Sequence, residues 1–184
     1  SVFIYIYIYI YDFFVMQETH GNLGKCSGFR NKVGYKAFWS NGFEGADGVG
    51  AWVKEEFLAK VCSGGGGYEW LEVVPGSAAI LRCWGSLGRI QIGIVYLPTG
   101  ASGGKEERQA IVLKITNKMK DWKDALQILV GDFNFVVSLR DRFSGDPPSF
   151  SGDNDKAETK QFEKSLLPLG LSELYQPEPT YRNS

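Results

Sequence analysis

Strand and helix patterns alternate along this chain, and the alternation predicts a single α/β domain. Three stretches carry it. Ile90, Ile92, Ile94 and Tyr96 recur at every second position, the period of a strand with one buried face. Val112, Ile115, Met119 and Trp122 recur at intervals of three, four and three, a helical stripe, with Lys114, Lys118 and Lys120 on the opposite face. Ile128-Leu129-Val130 then reads as an apolar strand running into Gly131-Asp132-Phe133-Asn134.

The chain of 184 residues is 43% hydrophobic and 22% charged, enough for one substantial core and short for two. A formal charge of −1 supplies no long-range basic field, so contact with a polyanion has to rest on a local patch. Cys26, Cys62 and Cys83 are widely spaced and lack a CxxC pair, which suits reduced thiols better than a disulfide frame or a zinc site. An intracellular setting, nuclear or cytoplasmic, follows from that usage.

Taken in order, residues 2–11 alternate Ile and Tyr with no polar face. An AT dinucleotide repeat translates this way, and a buried strand of β-branched and aromatic residues reads the same. With no cationic lead, no small-residue cleavage site and Asp12 interrupting the run, the segment is neither a signal peptide nor a membrane anchor. We therefore divide the chain into a low-complexity repeat over 1–11 and a domain over 12–184. Residues 12–16 form the first strand of that domain and deliver Gln17 and Glu18 at its end. Residues 21–50 are rich in Gly, Asn and aromatics. A strand is expected over 48–53, a loop at Gly64 to Gly67, and strands over 78–84 and 89–97. Pro98-Thr99-Gly100 and Ser102-Gly103-Gly104 break the chain before the long helix. Asp155 is placed to cap a second amphipathic helix carrying Phe162 and Leu166, and Gly170-Leu171 opens the last element.

The polar residues worth examining sit at strand ends, where rigid backbone exposes them at the rim of a core. If Gly131-Asp132-Phe133-Asn134 continues extended, Asp132 and Asn134 share a face while Phe133 turns inward. Asp132 can then take a proton from an attacking water, and Asn134 can donate to that water or to a phosphate oxygen. A turn is the competing reading, because Gly, Asp and Asn are the commonest turn residues. Glu18 is a carboxylate carried to the edge of an apolar strand, a suitable hard ligand for Mg²⁺, although most glutamates are solvated surface charges. His20 is as well suited to a loop hydrogen bond as to acid–base work.

In order along the chain, Gln17-Glu18-Thr19-His20, Tyr96-Leu97-Pro98 and Gly131-Asp132-Phe133-Asn134 resemble the motif series of the endonuclease/exonuclease/phosphatase superfamily. Arg140-Asp141-Arg142 and Glu178-Pro179-Thr180-Tyr181 are similar to its apurinic/apyrimidinic-type endonuclease branch in non-LTR retrotransposons. The resemblance covers roughly residues 12–184 and implies a four-layer α-β-β-α sandwich, incomplete in this chain. It implies Glu18 as ligand to Mg²⁺, or alternatively Mn²⁺. Asp132 would handle the attacking water, Asn134 would hold it and touch the scissile phosphate, and the Tyr96 hydroxyl would contact that phosphate. Arg142, with Arg140, would grip backbone phosphates, unless that cluster is merely solvated, and Thr180 would border the substrate groove. The implied partners are DNA and a reverse transcriptase domain of the full-length polyprotein, with no membrane.

The pattern departs at both ends. The family's opening strand carries a metal-proximal asparagine where this chain has the Ile-Tyr repeat. Its closing Ser-x-x-Asp and Ser-Asp-His would follow where this chain stops, at Asn183-Ser184, and His20 is in the wrong motif to substitute. One preorganised donor is worth about 3 kcal/mol of transition-state stabilisation, so low or absent activity is expected. The competing readings are an inactive fragment that retains the fold and a phosphatase acting on inositol phosphates or lipid headgroups.

Overall fold

The computed structural model describes residues 11–20, 34–42, 47–100, 104–137, 142–145, 148–150, 156–174 and 181–183. A first sheet places β3 (Val49–Lys54) between β1 (Phe13–Met16) and β2 (Tyr35–Ser40), both antiparallel to it. A second sheet runs β4 (Gly67–Val74), β5 (Ala78–Gly85), β6 (Gly88–Tyr96), β7 (Leu126–Asp132) in spatial order, antiparallel except for the parallel β6–β7 pair. That parallel pair requires a crossover, which α2 (Gly104–Lys120) supplies. A short α1 (Glu55–Val61) follows β3, and α3 (Lys156–Leu166) is extended by a 3₁₀ turn at Leu167–Leu169. A small third sheet pairs β8 (Arg142–Gly145) with β9 (Pro148–Phe150) and β10 (Tyr181–Asn183).

Alternation decides which sheet faces meet. Val49, Ala51, Val53 and Phe38 of the first sheet pack against Ala79, Leu81, Cys83, Ile92, Ile94 and Tyr96 of the second. The opposite face of the second sheet buries Ala78, Ile80, Val95 and Leu97 under Ile111, Val112, Ile115 and Met119 of α2. Each such Ile or Leu contributes about 1.5–3 kcal/mol relative to an exposed one. Sheet, sheet and helix thus form three of the four expected layers among the described residues. The carbonyls at the end of α2 have no partner within the helix, and the sheet provides them. Arg82 donates to the Lys118 carbonyl and the fully buried Gln91 to that of Met119, each at 2.9 Å.

The expected strands at 12–16, 48–53, 78–84, 89–97 and 128–130 and both helices are present. β2, α1 and β4 were not anticipated: β2 interrupts its apolar alternation with Lys36, and α1 has only two buried residues. Trp122 is not on the helix; it lies just beyond it, its N–H bonded to the Met119 carbonyl, and packs on Trp84. Gly170 does not open a last element. It has a left-handed φ of 66° and ends the 3₁₀ turn, and the final described element is β10. The Ile-Tyr repeat through Ile10, Cys26 and the Asp155 cap lie outside the described residues. No helix of the described chain is long and apolar enough to cross a membrane.

Candidate active site

Register brings five chain segments to one end of the sheet pair. Met16 pairs with Gly50 and Ser40 with Val49, so β1 and β2 finish where β3 begins. In the second sheet Ala78 pairs with Val95, and Tyr96 with Asp132, at the same level. Backbone bonds extend the join: Thr19 N–H to Gly48 O at 3.3 Å, His20 N–H to Asp47 O at 2.9 Å, Gly48 N–H to Gly76 O at 2.9 Å, and Leu97 N–H to Asp132 O at 2.9 Å.

The two sheets meet chemically through one hydrogen bond. Tyr96 Oη donates to Glu18 Oε1 at 2.5 Å across 78 residues of sequence, within the short range of a donor on a carboxylate. The glutamate acceptor, burial of the ring, and the charges of Glu18, Asp47 and Asp132 push the Tyr96 hydroxyl up to about 12. It is therefore a neutral phenol at physiological pH, a donor and not a nucleophile.

Asp132 and Asn134 are brought together by a turn and not by continued strand. Asn134 has φ 49°, its backbone N–H bonds Asp132 Oδ1 at 3.0 Å, and its Nδ2 donates to the Leu97 carbonyl at 2.7 Å. This corrects the extended reading of that motif. The physical reason is that asparagine tolerates left-handed backbone and an aspartate side chain readily accepts from the amide two residues on. Phe133 does turn inward, against Phe135 and Phe162. With its amide on Leu97, Asn134 ties the two strand ends together, and so sets the spacing of Tyr96 and Asp132.

Glu18, Asp132 and His20 are exposed, as a substrate-facing rim requires, while Tyr96 is buried. Four residues other than glycine adopt positive φ in the described chain: Glu18 at 49°, His20 at 43°, Asp47 at 55° and Asn134 at 49°. All four lie at this end, and such conformations cost about 1–3 kcal/mol each and gather at functional sites. Asp47 was missed in the sequence. Its only signal there was an Asp-Gly pair, which reads as a turn. Arg142 starts β8, but its side chain, Arg140, Asp141 and Thr180 lie outside the described residues.

No family profile and no curated protein matches the sequence. Among solved structures, the chain superposes with a TM-score of 0.50 on a humanised D. rerio TDP2 carrying 14 mutations, at 17% identity, covering 70% of this chain and 54% of that one. The fold is of the endonuclease/exonuclease/phosphatase type. D. rerio TDP2 complexed with single strand DNA product is also similar, with a TM-score of 0.48 and 17% identity over 70% of this chain and 50% of that one. So is the inositol polyphosphate 5-phosphatase domain of SPsynaptojanin, in complex with inositol (1,4)-bisphosphate and calcium ion, at 0.40 and 16% over 71% and 45%. The chain thus spans about half the length of these structures of the endonuclease/exonuclease/phosphatase fold.

A divalent metal is compatible with the donor set that this fold assembles here. Glu18, Asp47 and Asp132 offer hard carboxylate oxygens, and Tyr96 engages only one oxygen of Glu18. Among the described residues no three His, Cys, Asp or Glu side chains gather into a cage. Mg²⁺ does not require one, since it is commonly held by one or two carboxylates together with waters and substrate phosphate.

Proposed function

We propose that this chain carries the metal-dependent site of a phosphodiester hydrolase that nicks DNA, in the manner of retroelement endonucleases. The observation that carries the reading is the Glu18–Tyr96 hydrogen bond. It joins the candidate metal ligand of one sheet to the candidate phosphate donor of the other, beside the Asp132–Asn134 turn.

Mg²⁺, or Mn²⁺, held by Glu18 would draw off charge that builds on the phosphate oxygens. The chain's own groups divide the remaining work. Asp132 holds the Asn134 amide with Oδ1, which leaves Oδ2 to take a proton from the attacking water as its oxygen bonds to phosphorus and the ester P–O bond breaks. The departing alkoxide takes its proton from solvent. Tyr96, kept protonated, supplies a donor at the strand end. Arg142 and Arg140 would bind flanking backbone phosphates and Thr180 would border the groove, with a reverse transcriptase domain of the same polyprotein as the partner that uses the nick.

Supercoiled plasmid and soluble inositol phosphates, each incubated with the protein and Mg²⁺, separate the substrates. Nicked circles in the first are expected. Phosphate release from inositol phosphates alone would overturn the DNA reading, and silence in both would leave a fold without hydrolytic function.

A further inference from the structure

One buried ion pair stands directly behind the candidate site. Arg108 of α2 donates from Nε to Glu158 Oε1 at 2.7 Å and from Nη2 to Oε2 at 2.9 Å, a two-pronged pair linking α2 to α3. Its remaining terminal nitrogen, Nη1, donates to the carbonyls of Pro98 and Gly100, each at 3.0 Å. Arg108 is 6% exposed and Glu158 4%, so neither charge is shared with bulk water. The segment that Arg108 holds is the continuation of β6, immediately after Tyr96 and after Leu97, whose carbonyl receives the Asn134 amide. A second contact presses on the same segment from α2. A Cβ at Gly104 would lie 2.8 Å from the Thr99 carbonyl oxygen, so the first turn of α2 sits against that loop with no room for a side chain.

An ordinary helix–helix pair would need only the carboxylate. Here the guanidinium fork is divided, one edge for Glu158 and one nitrogen for two carbonyls, a geometry that an ammonium cannot reproduce. Glu158 aims the fork, and the fork fixes the loop. We propose that Arg108 is a positioning residue of the site: anchored by Glu158, it holds the Pro98–Gly100 backbone and thereby the placement of Tyr96 and of the Leu97 carbonyl that Asn134 grips. The catalytic half of this inference rests on the hydrolase reading above, and the structural half does not.

The test uses the full chain and the variant Arg108→Lys, which keeps the charge and loses the fork, beside the double variant Arg108→Met/Glu158→Leu, which replaces the buried pair by apolar packing. Amide hydrogen exchange reads the structural half. The Leu97 amide, bonded to Asp132 O, should exchange at least about 10-fold faster in whichever variants fold, while the Ile92 amide at the centre of the sheet keeps its rate. Equal protection of Leu97 in a folded variant and in the wild type overturns the clamp. Plasmid nicking reads the catalytic half: kcat should fall about 10–100-fold with KM little changed, as for a displaced catalytic group. The loss should shrink severalfold when Tyr96→Phe is already present, because the two act through one group. Full additivity with Tyr96→Phe, or a rise in KM alone, overturns the positioning role. A wild-type chain that hydrolyses neither plasmid nor inositol phosphate counts against the hydrolase reading, and hydrogen exchange still decides the clamp.

Discussion

The two ends of the sheet pair handle the same backbone problem differently. At the end opposite the candidate site, positive φ falls on glycines: Gly64 at 70°, Gly65 at 83° and Gly88 at 113°. There polar groups close on one another, as in the Ser63–Ser86 hydroxyl pair at 2.7 Å and the carbonyls of α2 met by Arg82 and Gln91. At the site end, glycine appears where a side chain has no room, as at Gly131, whose Cβ would lie 1.9 Å from the Val95 carbonyl oxygen. Beside it, Glu18, His20, Asp47 and Asn134 hold left-handed backbone while keeping side chains. Strain of this kind persists where the side chain serves a purpose that glycine could not.

The sharpest test of the contrast is chemical. Asp132→Asn keeps an oxygen to receive the Asn134 amide and removes the proton acceptor, so Mg²⁺-dependent nicking should fall about 10²–10⁴-fold while the thermal midpoint stays within a few degrees. An unchanged rate removes Asp132 from the mechanism. Next in size is a pair of glycine substitutions. Gly131→Ala meets rigid backbone and should cost about 3 kcal/mol or more in urea unfolding, whereas Gly88→Ala has open space around it and should cost about 1 kcal/mol, from φ alone. Equal costs would show that the site end is no more constrained than the other. His20→Gly should stabilise by about 0.5–1 kcal/mol by releasing a left-handed φ, and destabilisation would indicate a contact of the imidazole that outweighs the strain.

Smallest in energy is the titration of Tyr96. Its folded value is raised above the ordinary 10 to about 12, so its stabilising contribution is whole below pH 10 and is lost as pH rises through 12. In Glu18→Gln the tyrosine should titrate lower, followed by the ¹³Cζ shift. An unmoved midpoint would mean that Glu18 does not govern it.

Much of this was legible in the sequence because it depends on period. The two-residue rhythm of Ile90, Ile92, Ile94 and Tyr96 and the helical stripe of Val112, Ile115 and Met119 are direct records of one buried face each, and both elements are present. β2 and β4 were not legible. Lys36 breaks the rhythm of β2, and Glu69 and Glu72 sit on β4 at the open edge of its sheet, where polar residues are admitted. In the site, Glu18, Tyr96, Asp132 and Asn134 could be picked out as polar residues at the ends of apolar runs. Which atom meets which could not, since the Glu18–Tyr96 bond depends on how two separate sheets stack. The turn at Asp132–Asn134 was visible as an alternative, and the left-handed φ of Asn134 settles it. Asp47 and Arg108 carried no local signal. Their roles arise from what surrounds them in space, a tyrosine hydroxyl for one and a loop backbone for the other.

The account turns on whether the strained, carboxylate-bearing end is a hydrolytic site, and Glu18→Gln measured for plasmid nicking across a Mg²⁺ titration, beside its thermal midpoint, bears on this most directly. The prediction is a loss of at least about 100-fold at every Mg²⁺ concentration that supports the wild type, with the midpoint within a few degrees. Nicking at the wild-type rate by a folded Glu18→Gln protein would contradict it.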